Sequence, residues 1–486
     1  MQRGPLTWRF GAAQHGARAA RRSGVVSARI TVIGGGLAGC EAAWQAARCG
    51  VDVELIEMRP LESGPAHHTA DLAELVCSNS FRGAALENAV GLLKEELAQL
   101  DSLIIGSARD CAVPAGGALA VDRAQFSQHV EQRLMEEPRV SVRREEATRI
   151  PRDRPAIVAC GPLPSSKLLA EIDALLDEVG AQSRLHYYDA ASPIVAADSI
   201  DTSKMYAKAR YDKGEGDDYL NIPLDVERYH ALLSDLRTLP QHEPKEFECD
   251  AADGRRPFFE GCLPIEEMAR RGDDVLRFGP LKPVGLRDPR TGKTPYAVVQ
   301  LRKETRDATA FNLVGFQTRM TWPAQKQAFG KFPGLENAEW LRLGVMHRNT
   351  FLDSPRLLDR ELRLRGFEAL HFAGQITGAE GYVEAAACGA IAGIAAARRA
   401  LGLPAVTVPA ETALGAVVAH LQNDVTSDFQ PANVSWAYVP PLVAPPRDKK
   451  ARRRQLAERA LETLARFRTA IARPEPVAGT LLAHVG

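Results

Sequence analysis

The stretch from Ile30 to Pro60 limits what this chain can fold into more than any other. In order it carries an apolar β-branched run (Ile30 to Ile33), a glycine cluster, an alanine-rich segment (Leu37 to Arg48) and a second apolar run, Val51 to Ile56, closed by Glu57. Short β-branched runs suit buried parallel strands, and an alanine-rich segment suits a helix. The order predicts a β-α-β unit with Gly34, Gly36 and Gly39 in G-x-G-x-x-G spacing.

Each residue type has a physical reason. Gly34 allows a tight turn, Gly36 removes a Cβ that would block a pyrophosphate, and Gly39 lets the helix approach closely. Phosphates would then face free N–H groups at the helix start. Glu57 lies 18 residues beyond Gly39, where a carboxylate can accept hydrogen bonds from an adenosine ribose and disfavour a 2′-phosphate. A lone glycine fingerprint is weak, but strand, glycines, helix, strand and terminal acid in register are specific. The expected ligand is FAD, with NAD as the second choice.

The rest of the chain must build around this unit. With 486 residues and 45% hydrophobic content there is material for more than one core. Formal net charge is zero, so a nucleic-acid partner would have to be held by local patches. The 8 cysteines show no C-x-x-C pairing, which argues against a disulfide scaffold or a zinc site and for a reducing cytoplasm. No apolar run approaches the roughly 20 residues a spanning helix needs. Residues 1–29 hold six arginines and no acid, and read as an extension or a targeting leader ahead of a folded unit that starts near Arg29.

Further along, Arg59 to Thr69 reads as a loop leading to Cys77, which is set among Ser78, Asn79 and Ser80. That polar, turn-prone setting leaves two readings open, a reactive thiol or a small buried side chain. Helices are expected at 84–100, 123–136 and around 165–179. His129 reads as a surface residue. Pro155 to Pro162 reads as a short apolar strand that ends in glycine, at Gly161, and returns the chain to the nucleotide domain; its Cys160 reads as core. From Ser192 the texture becomes rich in aromatic residues and prolines, which predicts an inserted domain. Within it, Cys262 follows Gly261 and is bracketed by Glu260 and Glu266, and Lys282, Arg302 and Lys303 suit either an anion pocket or a solvated face. A second glycine-rich turn, Gly374 to Gly381, precedes a helix of small residues that includes Cys388; a two-part flavin site needs such a turn and a single nicotinamide domain does not. Near the end, residues 447–454 carry six cations against one acid, either a solvated helix start or a strip for an RNA backbone.

The expected fold class is α/β, a Rossmann-like FAD-binding domain with an inserted mixed α+β domain. The expected division is an extension at 1–28, FAD-binding parts at 29–190 and 326–430, an insertion at 191–325 and a helical tail at 431–486.

Eight blocks in one order carry a closer likeness: Ile33–Glu41, Glu57–Pro60, Leu75–Phe81, Phe259–Glu266, Gly279–Leu286, Asn312–Thr318, Gly344–Thr350 and Phe372–Tyr382. In these the chain resembles the folate-dependent tRNA (uracil-5-)-methyltransferase family of bacterial flavoproteins, from Ala28 to Arg398 and more loosely to Phe467. The resemblance implies methylation of C5 of the T-loop uridine, position 54 of tRNA. The carbon would come from 5,10-methylenetetrahydrofolate, with FAD as cofactor and NAD(P)H as reductant. It implies Cys262 as nucleophile and Cys77 as general base, an order the sequence itself leaves open. It implies cofactor contacts at Gly34, Gly36, Gly39, Glu57, Arg59, Gly161, Gly374, Glu380 and Gly381. The implied partners are tRNA, folate and NAD(P)H, in the cytoplasm, with no metal and no membrane; monomer and small homo-oligomer stay open. Two other classes compete: a flavin oxidoreductase acting on a small metabolite, and a non-catalytic tRNA-binding protein.

Overall fold

A computed structural model describes residues 28–180, 184–212, 218–242, 263–423 and 429–472. The glycine-rich unit folds as strand Arg29–Ile33, helix Leu37–Arg48 and strand Asp52–Glu57. These two strands pair in parallel, Ile30 with Val53 and Ile33 with Ile56. Ala156–Val158 pairs on the other side of the first strand, Leu370–Phe372 pairs beyond it, and Val140–Arg144 completes the far edge of a five-stranded parallel sheet. The register aligns Ile33, Ile56, Val158 and Phe372 at one rim. In such sheets ligands bind outside the carboxyl ends of the strands.

Small residues bring two helices into that layer at close range. A Cβ on Gly389 would stand 2.2 Å from the carbonyl oxygen of Ala38, and one on Gly393 would stand 2.5 Å from that of Ala42. Helix Tyr382–Ala400 therefore lies directly against helix Leu37–Arg48, and the distant second glycine-rich turn comes beside the first.

Arg184–Ala190 and Met346–Leu352 form an antiparallel pair through which the chain leaves the parallel-sheet unit and returns to it. Between them lies a six-stranded sheet whose neighbouring strands all pair antiparallel. Its core includes Ile222, Val299, Phe316, Phe329, Phe332 and Leu335, and its last strand is Trp340–Arg342. The inserted unit thus extends past residue 325, because the aromatic side chains of 329 and 332 stack into its core. The C-terminal helix, Lys449–Ala472, is no loose appendage; Ala457, Ala460, Leu464 and Phe467 join the core of the nucleotide unit.

Local caps explain the helix bounds. Ser165 and Asp122 each accept a backbone hydrogen bond at the start of helices Ser166–Glu178 and Arg123–Glu136. The helix expected at 84–100 begins only at Ala89. The preceding residues turn back over its start, where a Cβ on Gly91 would meet the Ala85 carbonyl oxygen at 1.9 Å. Among the described residues no helix is long and apolar enough to cross a membrane, and no cluster of three or more His, Cys, Asp or Glu residues is placed to hold a metal.

Candidate active site

A cleft of about 1010 Å³, counted with its solvent-open mouth, runs along the rim of the parallel sheet. Gly34, Gly36, Glu57, Arg59, Gly161 and Gly374 all line it. Three glycines of the fingerprint do different jobs. Gly34 has φ +104°, and a Cβ there would collide with the Ala159 carbonyl at 2.4 Å. A Cβ on Gly39 would lie 1.7 Å from the Gly34 carbonyl oxygen, so this glycine sets the contact between helix and turn and does not line the cleft. Gly36 caps the helix in an extended conformation with no side-chain cap, and a Cβ there would meet nothing within 4 Å. The helix start, with no acid in its first turn, therefore faces open space, and its free N–H groups suit a pyrophosphate.

At the other end of the unit, Glu57 and Arg59 form a buried pair. One Glu57 oxygen, Oε2, accepts from the Gly35 amide at 2.7 Å; the other, Oε1, accepts from the Arg59 amide at 2.9 Å and from Nε at 2.8 Å. Arg59 also donates to Glu74 at 3.0 Å and is 1% exposed. Burial pushes the Glu57 carboxyl up, but the Arg59 hydrogen bonds and charge outweigh it and hold Glu57 below the usual carboxylate range. Three donors occupy three of about four acceptor positions on the carboxylate, which leaves room for one ribose hydroxyl. The open cradle at Gly36 and this remaining acceptor on Glu57 fit a dinucleotide such as FAD.

Glu380 and Gly381 do not line the cleft. Gly381 caps helix Tyr382–Ala400 with φ +110°, and the buried Glu380 accepts from Gln375 at 2.9 Å. They shape the turn that presents Gln375 and Tyr382 to the cleft. Cys160, read as core from the sequence, lies half-buried in the cleft wall beside Gly161. Cys388 is buried, and His129 lies beside Asp110 at 3.8 Å.

Cys77 stands at the cleft edge, one residue from Val76, which lines it. Its amide donates to the Tyr382 hydroxyl oxygen at 2.8 Å, and the Ser78 amide does so at 3.1 Å. Burial pushes the Tyr382 phenol well above its ordinary range, and the nearby Cys77 adds to the shift. Arginines hold the backbone of this loop. Arg123 donates to the carbonyls of Leu75 and Cys77, and Arg342 donates to that of Val76. Arg302 donates to Asn79 at 2.9 Å, and Asn79 in turn donates to the Lys303 carbonyl. Glu304 pairs with Arg123. Arg302 is buried, which removes the solvated-face reading for it, while Lys282 and Lys303 are half-buried.

Just past Cys77, the buried Lys94 fixes strand Ser80–Gly83 by donating to the Phe81 and Gly83 carbonyls, both at 2.8 Å. Burial pushes the Lys94 amine down to about 7, and the like charge of Arg82 adds to this. Half-buried Cys77 is thus clamped between the nucleotide unit and the inserted unit. Cys262 lies outside the described residues. Sequence reasoning missed Tyr382, Arg123 and Arg342 as loop-holding groups; only the tyrosine carried a signal, as the first residue after a glycine-rich turn.

Comparison with known proteins agrees with this geometry. A family model for glucose inhibited division protein A matches residues 29–404. The methylenetetrahydrofolate--tRNA-(uracil-5-)-methyltransferase TrmFO of Citrifermentans bemidjiense is 55% identical over 439 residues, covering 90% of this chain and 98% of that protein. The protein of the same name from Geobacter sp. strain M21 is 54% identical over 437 residues, with 90% and 98% covered. A crystal structure of Aquifex aeolicus GidA covers 92% of this chain and 74% of its own, with a TM-score of 0.64 at 16% identity, a likeness of fold alone. With more than half of its residues identical to those relatives along almost their full length, the chain belongs to the folate-dependent tRNA (uracil-5-)-methyltransferase family, within the wider glucose inhibited division protein A group.

Proposed function

We propose that this protein is an enzyme that methylates C5 of the T-loop uridine, position 54, of tRNA. The carbon comes from 5,10-methylenetetrahydrofolate, with FAD as cofactor and NAD(P)H as reductant, in the cytoplasm. The observation that carries the reading is the 55% identity to a protein of that named activity over 98% of its length. The open cradle at Gly36 and the clamped Cys77 loop at the same cleft support it.

The chemistry assigns work to the chain's own groups. Uracil C5 is a poor nucleophile until a thiolate adds to C6; that addition breaks the C5–C6 double bond and makes C5 an enolate carbon. Cys262 is the proposed nucleophile. Once C5 has taken the one-carbon unit, a base must remove the C5 proton, and Cys77 is proposed for that step. Loss of that proton lets C5 expel the nitrogen that carried the carbon, leaving an exocyclic methylene; hydride addition to that methylene then restores the C5–C6 double bond and expels the Cys262 sulfur from C6. FAD, when bound, supplies the reducing equivalents that turn a methylene into a methyl. Gly34, Gly36, Glu57, Arg59, Gly161 and Gly374 would hold it along the rim, with Gly39, Glu380 and Gly381 shaping the turns behind them. The base must leave its stack to reach a cysteine at the cleft edge.

The test is anaerobic incubation of an unmodified tRNA transcript with the protein, NADPH and methylenetetrahydrofolate labelled in its transferable carbon. Nucleosides are then analysed by mass spectrometry. Labelled 5-methyluridine from the T-loop that vanishes when folate is omitted is the expected result. Flavin turnover with no labelled base would make a metabolite oxidoreductase the better description. Cys262→Ala should abolish a covalent protein–tRNA adduct, and an undiminished adduct would remove Cys262 from the nucleophile role.

A further inference from the structure

The most cationic stretch of the chain lies at the start of its C-terminal helix, and it plays no part in the core. Residues 447–454 carry six cations against Asp448 alone, in a chain of zero formal net charge. The helix has no acid in its first turn. Cations at a helix N-terminus oppose the macrodipole, so this arrangement works against the stability of the helix that carries it. Local conflict of this kind marks functional positions. Asp448 relieves part of it by capping, its Oδ2 accepting from the Ala451 amide at 2.6 Å.

The first buried residue of the helix is Leu456, so its first two turns run past the core, and none of residues 449–455 is buried. Among the described residues the one carboxylate outside the stretch that meets these cations is Glu87, at 3.2 Å from Arg454 and 3.9 Å from Lys450. Both cations stay largely exposed, at 60% and 70%.

A run of hydrogen bonds ties this basic end to the lip that bears Cys77. Glu87 follows strand Ser80–Gly83 in the chain, and its carbonyl accepts from Trp436 Nε1 at 3.1 Å. Two residues back, the Val434 amide donates to Glu384 at 2.8 Å, and Glu384 also pairs with Arg82 on that strand. Glu384 sits two residues along the same helix from Tyr382, whose hydroxyl holds the Cys77 amide. The basic helix start is thus joined, through Glu87, Trp436 and Glu384, to the strand and helix that hold the reactive loop.

We propose that the basic start of the C-terminal helix is a phosphate-contacting surface that grips the tRNA backbone next to the extruded uridine. The inference rests on tRNA being the substrate. An RNA whose base is drawn into a cleft lays its flanking phosphates across the rim, and phosphate contacts fix register without reading sequence. A chain of zero net charge must bind a polyanion through such a local patch.

The experiment measures binding of the full-length, flavin-loaded protein to an unmodified tRNA transcript by fluorescence anisotropy at several KCl concentrations. The variant carries Lys449→Gln, Lys450→Gln, Arg453→Gln and Arg454→Gln. Its affinity should fall about tenfold or more, and the slope of log K against log salt should become shallower by about one for each phosphate that is no longer neutralised. The KM for tRNA should rise while kcat holds, and the Lys450→Arg, Arg454→Lys variant should bind like wild type. If the fourfold variant loses flavin, the pair Lys449→Gln, Arg453→Gln leaves the Glu87 ion pairs in place and should show a smaller loss of the same kind. Wild-type affinity and slope in a folded variant would overturn the surface while leaving the substrate assignment intact. A wild-type protein with no affinity for tRNA would overturn both.

Discussion

The hydroxyl oxygen of Tyr382 accepts a hydrogen bond from the backbone amide of Cys77 at 2.8 Å, joining residues 305 positions apart. The Ser78 amide shares the same acceptor at 3.1 Å. The start of helix Tyr382–Ala400 thus sets the position of the cysteine loop. Tyr382→Phe leaves both amides without that partner, a loss of about 1–3 kcal/mol for groups shielded from water. Methyl transfer should drop about tenfold or more with flavin content unchanged, as read by single-turnover assays normalised to bound flavin.

Gly36 and Gly39 are three residues apart and should respond in opposite ways to the same substitution. At Gly36 the backbone has φ −76° and ψ −172°, which alanine tolerates, and the added Cβ meets no protein atom. Gly36→Ala should fold with a stability within about 1 kcal/mol of wild type yet lose flavin on gel filtration. At Gly39 the Cβ would be driven to 1.7 Å from the Gly34 oxygen. Gly39→Ala should yield little soluble protein.

Arg59 lies 1% exposed between Glu57 and Glu74. Removing one partner of a buried pair leaves an uncompensated charge and costs about 3–5 kcal/mol. Arg59→Met should therefore lower the urea midpoint strongly and release flavin. Arg59→Lys should recover little, because an ammonium cannot reproduce the two-sided guanidinium fork. Equilibrium unfolding with flavin fluorescence reads both effects.

His371 sits in the middle of strand Leu370–Phe372 and is fully buried. Burial pushes its imidazole down to about 4 from an ordinary 6.5. The unfolded chain therefore binds the proton first on acidification. Stability from this group is complete above about pH 6.5 and is lost as pH falls toward 4, a change of about 3 kcal/mol. His371→Leu should flatten that part of the profile, measured as denaturant midpoints between about pH 4.5 and 7.

Much of the nucleotide unit was legible because its signals are local. The β-branched runs at 30–33 and 51–56, the glycine spacing and the acid at 57 each constrain the backbone within a few residues, and the strands Arg29–Ile33 and Asp52–Glu57 formed within one residue of the expected bounds. The helix at 123–136 was equally plain, with Asp122 supplying its cap. The bounds of the inserted unit were harder to see, since Phe329 and Phe332 are assigned to it by packing, which leaves no periodic mark on the sequence.

The sequence by itself determined the β-α-β frame, the position of its glycines and the presence of a cationic run at 447–454, because turn sterics, strand hydrophobicity and charge are properties of neighbouring residues. Only the tertiary structure decided that Arg123, Arg302 and Arg342 converge on the loop of Cys77, and that Glu87 ties the basic helix start to the same lip. Those relationships span up to 367 positions. They depend on how two sheets and the closing helix pack, and no short-range pattern encodes that.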